Sequence, residues 1–451
     1  MLGRDELLSK AQFAIDRSKA SETEVLIFGS SSYLTRFTGN RIHQNTGERS
    51  YAVTIRAVRG KKIGISSCAS IDESSIAGTV DDAFNLAGLV PETEGFPGLP
   101  EPESTAVPEI PGNYSARTAE CPPDLRAAYV SRVAAMASDK GLNAAGSLST
   151  AQIELGVVNS RGIKAYTAFT RARLTAVVMS ESSSGYAEAS AVDIAAIDPT
   201  SVAETAIEKC LMSKDPVSIE PGEYDVVLEE PAVCDMLVFL AFMGFSADSY
   251  QTGQSFMSGK IGQKVTGDNI TIWDDGTDPS GFPMPFDLEG VPKTKVMLIE
   301  NGIARGVVYS SQAAAREPGK KSTGHAIFPG SFPSCIPTNI FMAPGDTPRE
   351  KLIAGMERGL LVTRFHYVNP VHPLLASITG MTRDGTFLIR NGRIVSPTRN
   401  LRFTQSILEA LSRCDAISAS TKLFAVEEGL AAVRCPALRV RGFNFTGTTE
   451  F

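Results

Sequence analysis

Apolar and polar positions in the N-terminal part of the chain predict a helix, three strands and a second helix. Apolar residues recur at three- and four-residue spacing over 7–15, which is typical of one buried helix face. Asp72 suits the N-cap of the second helix, which is predicted to end near Ala87. The strands between the two helices are predicted at 24–28, 35–42 and 50–58, with a turn at 59–62.

The part of the chain that begins at residue 124 shows the same order again. A helix is predicted over 124–140, a hairpin turn at 159–162, and a last helix at Asp198 and Pro199, which are a cap and a favoured first position. The strands of this part are predicted at 152–158, 162–169, 174–180 and 186–192. An internal duplication and a chance similarity between two strand-rich units both explain the repetition.

Between these two parts lies a proline-rich segment, residues 91–123, which holds eight of the 26 prolines of the chain and shows no hydrophobic periodicity. Such a composition predicts an extended surface connection that has no core of its own. It is expected to link or wrap the elements on either side.

From residue 218 the pattern becomes rich in strands. A strand at 224–228 and a very apolar helix at 231–244 are followed mainly by short strand-like segments separated by Gly and Pro. Two further helices are predicted, near 348–359 and 404–412. The fold class is therefore predicted to be α+β, with an N-terminal α/β domain over 1–217 and a C-terminal β-rich domain over 218–451, built as a barrel or a sandwich.

The helix at 231–244 is apolar on nearly every side. Such a helix must be buried in a core or covered by a partner, and burial in the core is the more common case. The two explanations predict different surfaces, since only the second leaves large apolar side chains exposed on the single chain.

Composition and charge narrow the classes of function. Hydrophobic residues at 43% and charged residues at 21% are typical of an ordinary globular protein. The formal net charge of −7 disfavours direct nucleic-acid binding, which relies on Lys and Arg. The seven cysteines form no C-x-x-C pair, and no apolar run suits a signal segment or a membrane span, so a cytoplasmic protein is expected.

The residues that carry chemistry give weak signals. The chain has no H-E-x-x-H motif, and its four histidines are His43, His325, His366 and His372. His366 and His372 could meet Cys335 or Asp384 in space, but their spacing does not support a metal site, and none is predicted. The loop at 320–325 crowds Lys, Ser, Thr and His together, and a surface turn is its more common explanation.

Several blocks in one order give the sequence a specific likeness over nearly its whole length. They lie at 32–45, 256–263, 287–292, 298–302, 322–325, 339–345, 379–389 and 400–408. Taken together, these blocks resemble the TldD/PmbA (TldE) family, whose members are described as modulators of DNA gyrase and as peptidases. The resemblance implies an N-terminal α/β domain, a C-terminal β-rich domain and a protease of two subunit types that degrades unfolded peptides.

The resemblance also implies a zinc site, and this chain departs from it. In catalytic members the helix after the strand corresponding to 224–228 carries H-E-x-x-x-H, and a later Cys completes the site. Here 231–244 contains no His and no Glu, and neither Cys414 nor Cys435 lies in the expected glycine-rich context. The chain is therefore similar to the non-catalytic PmbA/TldE type, and zinc is expected only if a relocated site exists.

Three hypotheses follow for what the chain does. As a non-catalytic subunit it would bind a TldD-like catalytic subunit, or a second copy of itself, and a peptide or unfolded protein. As an active peptidase it would use a relocated site built from His325, His366, His372 or Cys335. As a regulatory protein it would act on DNA gyrase through protein contacts, without binding nucleic acid directly.

The first hypothesis includes a peptide-binding segment. Residues 256–263 could accept an extended peptide by strand addition, which makes Phe256, Ser258, Gly259 and His325 the candidate peptide-binding residues. The same run could equally be a Gly-containing loop that packs locally. The two alternatives differ in whether this segment is a strand with a free edge.

Overall fold

The computed structural model describes residues 1–102, 107–426 and 430–449 of the chain. In these ranges the backbone forms two sheets, one of six strands and one of eleven. The first sheet is built by residues before 192 and the second by residues after 221, which confirms an α+β chain with an N-terminal sheet domain and a large C-terminal sheet. The division at residue 217 falls in the segment between them and stays a prediction.

The N-terminal sheet consists of six antiparallel strands in the spatial order β3-β2-β1-β4-β5-β6. Its strands are β1 Glu22–Thr38, β2 Arg41–Arg59, β3 Lys62–Cys68, β4 Asn143–Asn159, β5 Lys164–Met179 and β6 Ser184–Ala191. The helices of this domain are α1 Arg4–Arg17, α2 Glu73–Leu89, α3 Ala116–Ala119, α4 Pro123–Ser138 and α5 Pro199–Met212. The predicted caps are confirmed, since Asp72 accepts from the Ser75 N–H and Asp198 from the Thr200 N–H.

The strand order is symmetric about the pair β1 and β4, because each half of the domain runs helix, three strands, helix. In both halves, a glycine also lies where the outer strand packs closely against its helix. A Cβ atom at Gly64 would lie 2.1 Å from the Ala83 carbonyl oxygen, and one at Gly185 would lie 2.2 Å from that of Ala206. Common topology and a common close approach favour an internal repeat over chance similarity.

Two strand predictions in this domain are wrong. The predicted strand 35–42 contains the turn of a hairpin, where Gly39 and Asn40 adopt φ values of 55° and 60°. The predicted strands 162–169 and 174–180 are one strand, β5. Arg171 lies between the two predicted strands, where a charged residue suggests an exposed break. In the structure its guanidinium is buried between the rings of Phe169 and Phe282, 4.5 and 4.3 Å from their centroids, and the strand continues.

The predicted extended segment 91–123 contains neither helix nor strand in its described part up to residue 115, but α3 forms at Ala116–Ala119 and α4 begins at Pro123, so the prediction is wrong for its last part; 103–106 lie outside the described residues. This segment is not confined to the surface. Leu99 and Asn113 are buried, and the Asn113 side-chain amide donates to the Pro283 carbonyl at 2.9 Å. The connection therefore wraps the N-terminal sheet and ties it to the C-terminal half.

The C-terminal sheet closes on itself through β17, which confirms the barrel-like prediction. Around the ring the order is β7-β12-β13-β15-β17, and β17 pairs again with β7. Its strands are β7 Gly222–Leu228, β8 Ile272–Asp274, β9 Val296–Glu300, β10 Ile303–Ala304, β11 Asn339–Met342, β12 Arg358–His372, β13 Ser377–Arg390, β14 Arg393–Pro397, β15 Leu401–Ser406, β16 Cys414–Val426 and β17 Ala431–Thr448.

The helices of the C-terminal domain are shorter than predicted, apart from the apolar one. They are α6 Glu230–Gly244, α7 Ala247–Gln251, α8 Ser311–Ala315, α9 Arg349–Ala354 and α10 Ile407–Ser412. The predicted helices 348–359 and 404–412 each include strand residues, because their ends belong to β12 and β15. No helix within the described ranges is both long and apolar enough to cross a bilayer.

The apolar helix α6 packs one face into the core of the barrel domain and leaves the other face open. Met236, Leu237 and Leu240 are buried, whereas the Phe242 side chain is 60% exposed. Val238 and Phe239 are half-buried. Core burial, the favoured explanation, therefore accounts for one side of the helix and not for the other.

Candidate functional site

A groove runs along the open face of α6, between the two domains. Its first half is a cavity of about 390 Å³ lined by α6, by β12 and by β5 and β6 of the N-terminal sheet. Its second half is a cavity of about 360 Å³ along the end of α6. The two cavities share four lining residues, Val238, Phe239, Val368 and Val426. They therefore form one continuous groove, with a polar half and an apolar half.

The polar half of the groove contains two ion pairs. Arg173 donates to the same Glu188 carboxylate oxygen through Nε at 2.8 Å and through a terminal nitrogen at 2.6 Å. Arg364 Nε donates to Asp384 at 2.7 Å, and the Ser184 hydroxyl donates to the other oxygen of Asp384 at 2.6 Å. Because Ser184 belongs to the N-terminal sheet, this contact fixes the two walls of the groove relative to each other.

Asp235 on α6 is the exception to this pairing. Its carboxylate makes no hydrogen bond or ion pair with any residue that the structure describes, although it faces the groove. Burial raises the pKa of Asp235 to about 7, with a further rise from the Glu188 charge and an opposing effect of Arg364. Near neutral pH this carboxyl therefore lies close to the midpoint of its titration.

The beginning of α6 is held by a second set of charges. Glu229 accepts from Arg349 at 2.7 Å and from Lys209, which also donates to the Thr363 hydroxyl at 3.1 Å. Burial alone would raise the pKa of Glu229, but Lys209 and Arg349 outweigh it and hold that pKa at about 2. Because Lys209 lies on α5 and Arg349 on α9, the start of α6 is anchored to both domains.

A free strand edge lies along the groove. On one side β12 pairs with β13 over most of its length, whereas on the other side its pairing with β7 ends at Val362 opposite Leu228. Beyond that point no strand of the described ranges pairs with this edge. The five residues 364–368 line the polar half of the groove. Unpaired N–H and C=O groups at such an edge can pair with an extended peptide.

The segment 256–263 is not a strand, so it offers no strand edge, and the assignment of Phe256, Ser258 and Gly259 to peptide binding stays a prediction. It forms a run of turns in which Gly259 adopts φ 72° and the Ser258 hydroxyl donates to the Tyr250 carbonyl at 2.9 Å. Phe256 is buried and packs edge-on against Phe245, with ring centroids 5.4 Å apart. The Gly-containing loop is thus the conformation observed, and none of these residues lines the groove.

His325 is fully buried, so the prediction of a surface turn is wrong for this residue. Its Nε2 lies 2.7 Å from an oxygen of Asp274, and its Nδ1 lies 2.9 Å from the Thr323 hydroxyl. Burial and the Lys293 charge lower the pKa of His325. Both ring nitrogens have a hydrogen-bond partner, the buried Asp274 and the half-buried Thr323, and this pairing, which loop composition does not show, allows the histidine to be buried. Its assignment to peptide binding stays a prediction.

The residues considered for a relocated metal site do not form a ligand set in the described ranges. His366 lines the groove, whereas Cys335 is buried with its Sγ 3.2 Å from the Val308 carbonyl oxygen. His372 is exposed at the end of β12, and Asp384 accepts hydrogen bonds from Arg364 and Ser184. In the described ranges no three His, Cys, Asp or Glu side chains are placed to hold a metal ion.

The donor set on the groove face of α6 does not fit a zinc ion of the hydrolytic kind. The side chains there are Cys234, Asp235, Val238 and Phe239. Burial raises the pKa of Cys234 well above its usual range, which disfavours the thiolate that zinc requires. One carboxylate and no imidazole on this face leave the three-ligand geometry of a catalytic zinc site incomplete.

The sequence prediction missed Asp235, Arg173 and Glu188. A signal for Asp235 was present, because it is the only charged residue within 231–244. A single carboxylate in an otherwise apolar helix is costly to bury and therefore indicates an accessible or paired position. The Arg173 and Glu188 positions carried no such signal, since they lie in alternating strands where charged residues are common.

Comparisons with known proteins agree with this architecture. The model of the PmbA/TldA metallopeptidase C-terminal domain matches residues 221–447, and that of PmbA/TldA metallopeptidase domain 1 matches residues 23–87. The structure of TldE from Thermococcus kodakarensis superposes with a TM-score of 0.87 over 98% of this chain and 100% of that one. At 20% identity this likeness concerns the fold.

Two curated relatives match shorter regions. A metalloprotease TldD homolog of Buchnera aphidicola is 30% identical over 225 residues, which are 49% of this chain and 44% of the relative. An uncharacterized protein of Methanocaldococcus jannaschii is 39% identical over 120 residues, 26% of this chain and 29% of the relative. The matched regions thus span less than half the length of these relatives.

Proposed function

The chain belongs to the PmbA/TldA metallopeptidase family, and on that premise we propose that it is a non-catalytic, peptide-binding subunit of a protease that acts on unfolded proteins. The observation that carries the proposal is the groove along α6, in which a free strand edge lies beside a helix without a zinc-ligand set. The cytoplasmic location and the link to DNA gyrase stay predictions.

The free edge of β12 supports binding of an extended chain. Backbone hydrogen bonds to an edge strand are tolerant of sequence, which suits a protein that handles many unfolded peptides. Alternate side chains of the peptide would point toward α6, where Val238 and Phe239 offer apolar contact.

The absence of a catalytic role is supported by the chemistry of α6. Hydrolysis of a peptide bond needs an activated water or a nucleophile with its base. Asp235 is a carboxyl close to its titration midpoint, but neither a metal ligand set nor a nucleophile paired with a base accompanies it among the described residues. Cleavage would then depend on groups that a second subunit supplies.

Exposed apolar side chains near the groove support a partner. Tyr367 is 77% exposed and lies on β12, next to the groove, and Phe242 lies in the apolar half. Three more exposed apolar residues follow at the end of the β12 hairpin, Val371, Leu374 and Leu375. Apolar side chains grouped in this way mark protein interaction sites. We propose a TldD-like catalytic subunit as the partner, with a second copy of this chain as the alternative.

Peptide binding is tested by fluorescence anisotropy with a labelled fragment of denatured casein. We expect the purified chain to bind the fragment and the Phe242→Glu variant to bind at least about tenfold more weakly, because a carboxylate enters the apolar half of the groove. Leu89→Glu is the matched control, since Leu89 is 83% exposed outside the groove and should leave binding unchanged. A wild-type chain that does not bind the fragment contradicts the proposal.

The division of labour is tested with the TldD-like protein encoded by the same organism. Casein should be cleaved by the mixture and not by this chain alone, and only the mixture should lose activity to a chelator. Metal analysis of this chain alone should give no stoichiometric zinc. One equivalent of zinc together with chelator-sensitive cleavage by the isolated chain would show that it is itself a peptidase.

A further inference from the structure

Three of the four charged side chains that line the polar half of the groove are already paired. Arg173 is bound to Glu188, and Arg364 is bound to Asp384 just behind the wall. The fourth, Asp235, has no partner in the described part of the chain. The polar half therefore presents one carboxyl group without a partner, and the group that complements its ionised form is a cation.

The apolar half begins one helical turn further along α6. Phe239 follows Asp235 by four residues, which places it about 6 Å further along the helix axis, and Phe242 lies about 4 Å beyond that. In an extended peptide, side chains two residues apart point to the same face and are about 7 Å apart. The spacing of the two subsites thus matches alternate residues of one extended peptide.

We propose that the groove selects peptides in which a lysine or arginine and a large apolar residue stand two positions apart, the basic group against Asp235 and the apolar one between Phe239 and Phe242. This specificity rests on the peptide-binding function proposed above. The peptide backbone pairs with the free edge of β12, and the two peptide side chains contact residues of α6.

An acidic side chain at the first position is disfavoured by the same geometry. It would face Asp235 and also lie near Glu188, whose charge already acts on Asp235. The basic side chains of the groove do not offer it a free partner, because Arg173 and Arg364 are engaged. Specificity here therefore comes from repulsion of the wrong charge as well as attraction of the right one.

The test uses labelled peptides with a Gly and Ser background and anisotropy as the readout. Four peptides carry Lys and Phe, norleucine and Phe, Glu and Phe, or Lys and Ser, each pair two positions apart. We expect the Lys and Phe peptide to bind about tenfold more tightly than the norleucine peptide, as for other charge-assisted contacts. A fifth peptide with Lys and Phe adjacent should lose this advantage, because the two side chains then point to opposite faces.

The variant Asp235→Asn tests the preference for a basic side chain separately from peptide binding itself. It should remove the preference for Lys over norleucine, whereas Asp268→Asn, at an exposed carboxylate outside the groove, should leave that preference unchanged. Equal binding of all peptides by the wild type, or a preference that survives Asp235→Asn, overturns the specificity and leaves peptide binding in place. If neither the peptides nor the casein fragment bind, the proposed function itself fails.

Discussion

Two of the places where the two domains meet are chemically alike and differ in access. At the first, which we call the sealed contact, Arg56 of β2 lies between Glu24 of β1 and Glu289 of the C-terminal domain, at 2.7 and 3.1 Å. At the second, the groove, Asp235 faces an open cavity without a partner. Burial raises the pKa of Glu24 to about 7, the same value as for Asp235.

This comparison shows that a shifted pKa does not by itself mark a functional site. Glu24 is 1% exposed and bonded to Arg56, so it can meet no ligand. The pair of His325 and Asp274 leads to the same conclusion, since with the half-buried Thr323 it has the residue types of a catalytic relay, but both the imidazole and the carboxylate are fully buried. Access to a cavity distinguishes Asp235 from these groups.

The largest effect is expected at the sealed contact, from Arg56→Met. Removing the guanidinium leaves two buried carboxylates without compensation, which should lower the free energy of unfolding by about 3–5 kcal/mol. Denaturant unfolding measures this value. Arg17→Met is the matched control, because Arg17 pairs with Asp81 at 3.5 Å on the surface and should cost less than about 0.5 kcal/mol. Equal losses in the two variants would mean that the contact is not sealed.

A second prediction concerns chemical access to the two carboxyl groups. At about pH 6 both Glu24 and Asp235 are largely protonated, so a carbodiimide with an amine can modify either one that it reaches. Asp235 should react at least about tenfold faster, because Glu24 reacts only after local opening. Peptide mapping by mass spectrometry gives both rates. Comparable rates would remove the distinction between the two places.

The smallest effect is expected from Asp235→Asn on stability. The pKa of Asp235 in the folded chain is about 7 against a usual value of 3.8, so its contribution to stability falls as the pH rises from about 4 to about 7. The variant cannot ionise and should be more stable than the wild type by about 1–2 kcal/mol near pH 8, a value reduced for partial exposure.

The same comparison at low pH provides the control for that prediction. Below about pH 4 the carboxyl is protonated in both the folded and the unfolded chain, so the two proteins should unfold at nearly the same denaturant concentration. If Asp235→Asn raised the free energy of unfolding by the same amount at both pH values, the increase would arise from packing rather than from ionisation. In that case Asp235 would not be a buried charge.

The sequence predicted the elements whose causes are local. Asp72 and Asp198 begin helices through their own side-chain hydrogen bonds, and the segment 231–244, apolar apart from Asp235, is a helix, α6. For the second sheet the sequence predicted a barrel or a sandwich, but not which strands pair to close it. The pairing of β17 with β7 joins residues more than 200 positions apart, and no local pattern contains that information.

The candidate site was less predictable than the fold, because it depends on what surrounds each residue. Phe256, Ser258 and Gly259 were chosen from a motif, and their segment is a turn rather than a strand. His325 was chosen for its residue type, and its environment is closed. The free edge of β12 becomes visible only when one knows that β7 stops pairing at Leu228.

The paired glycines of the N-terminal domain have a consequence for how its two halves can evolve. Gly64 and Gly185 meet the same steric demand, so selection for packing acts on both copies of the repeat alike. Arg173 and Glu188 lie only in the copy that lines the groove, whereas Glu24 and Arg56 of the other copy belong to the sealed contact. Among relatives we expect both glycines to persist, while charged positions diverge between the copies, so that each half keeps the shape of the repeat together with its own charged contact to the second domain.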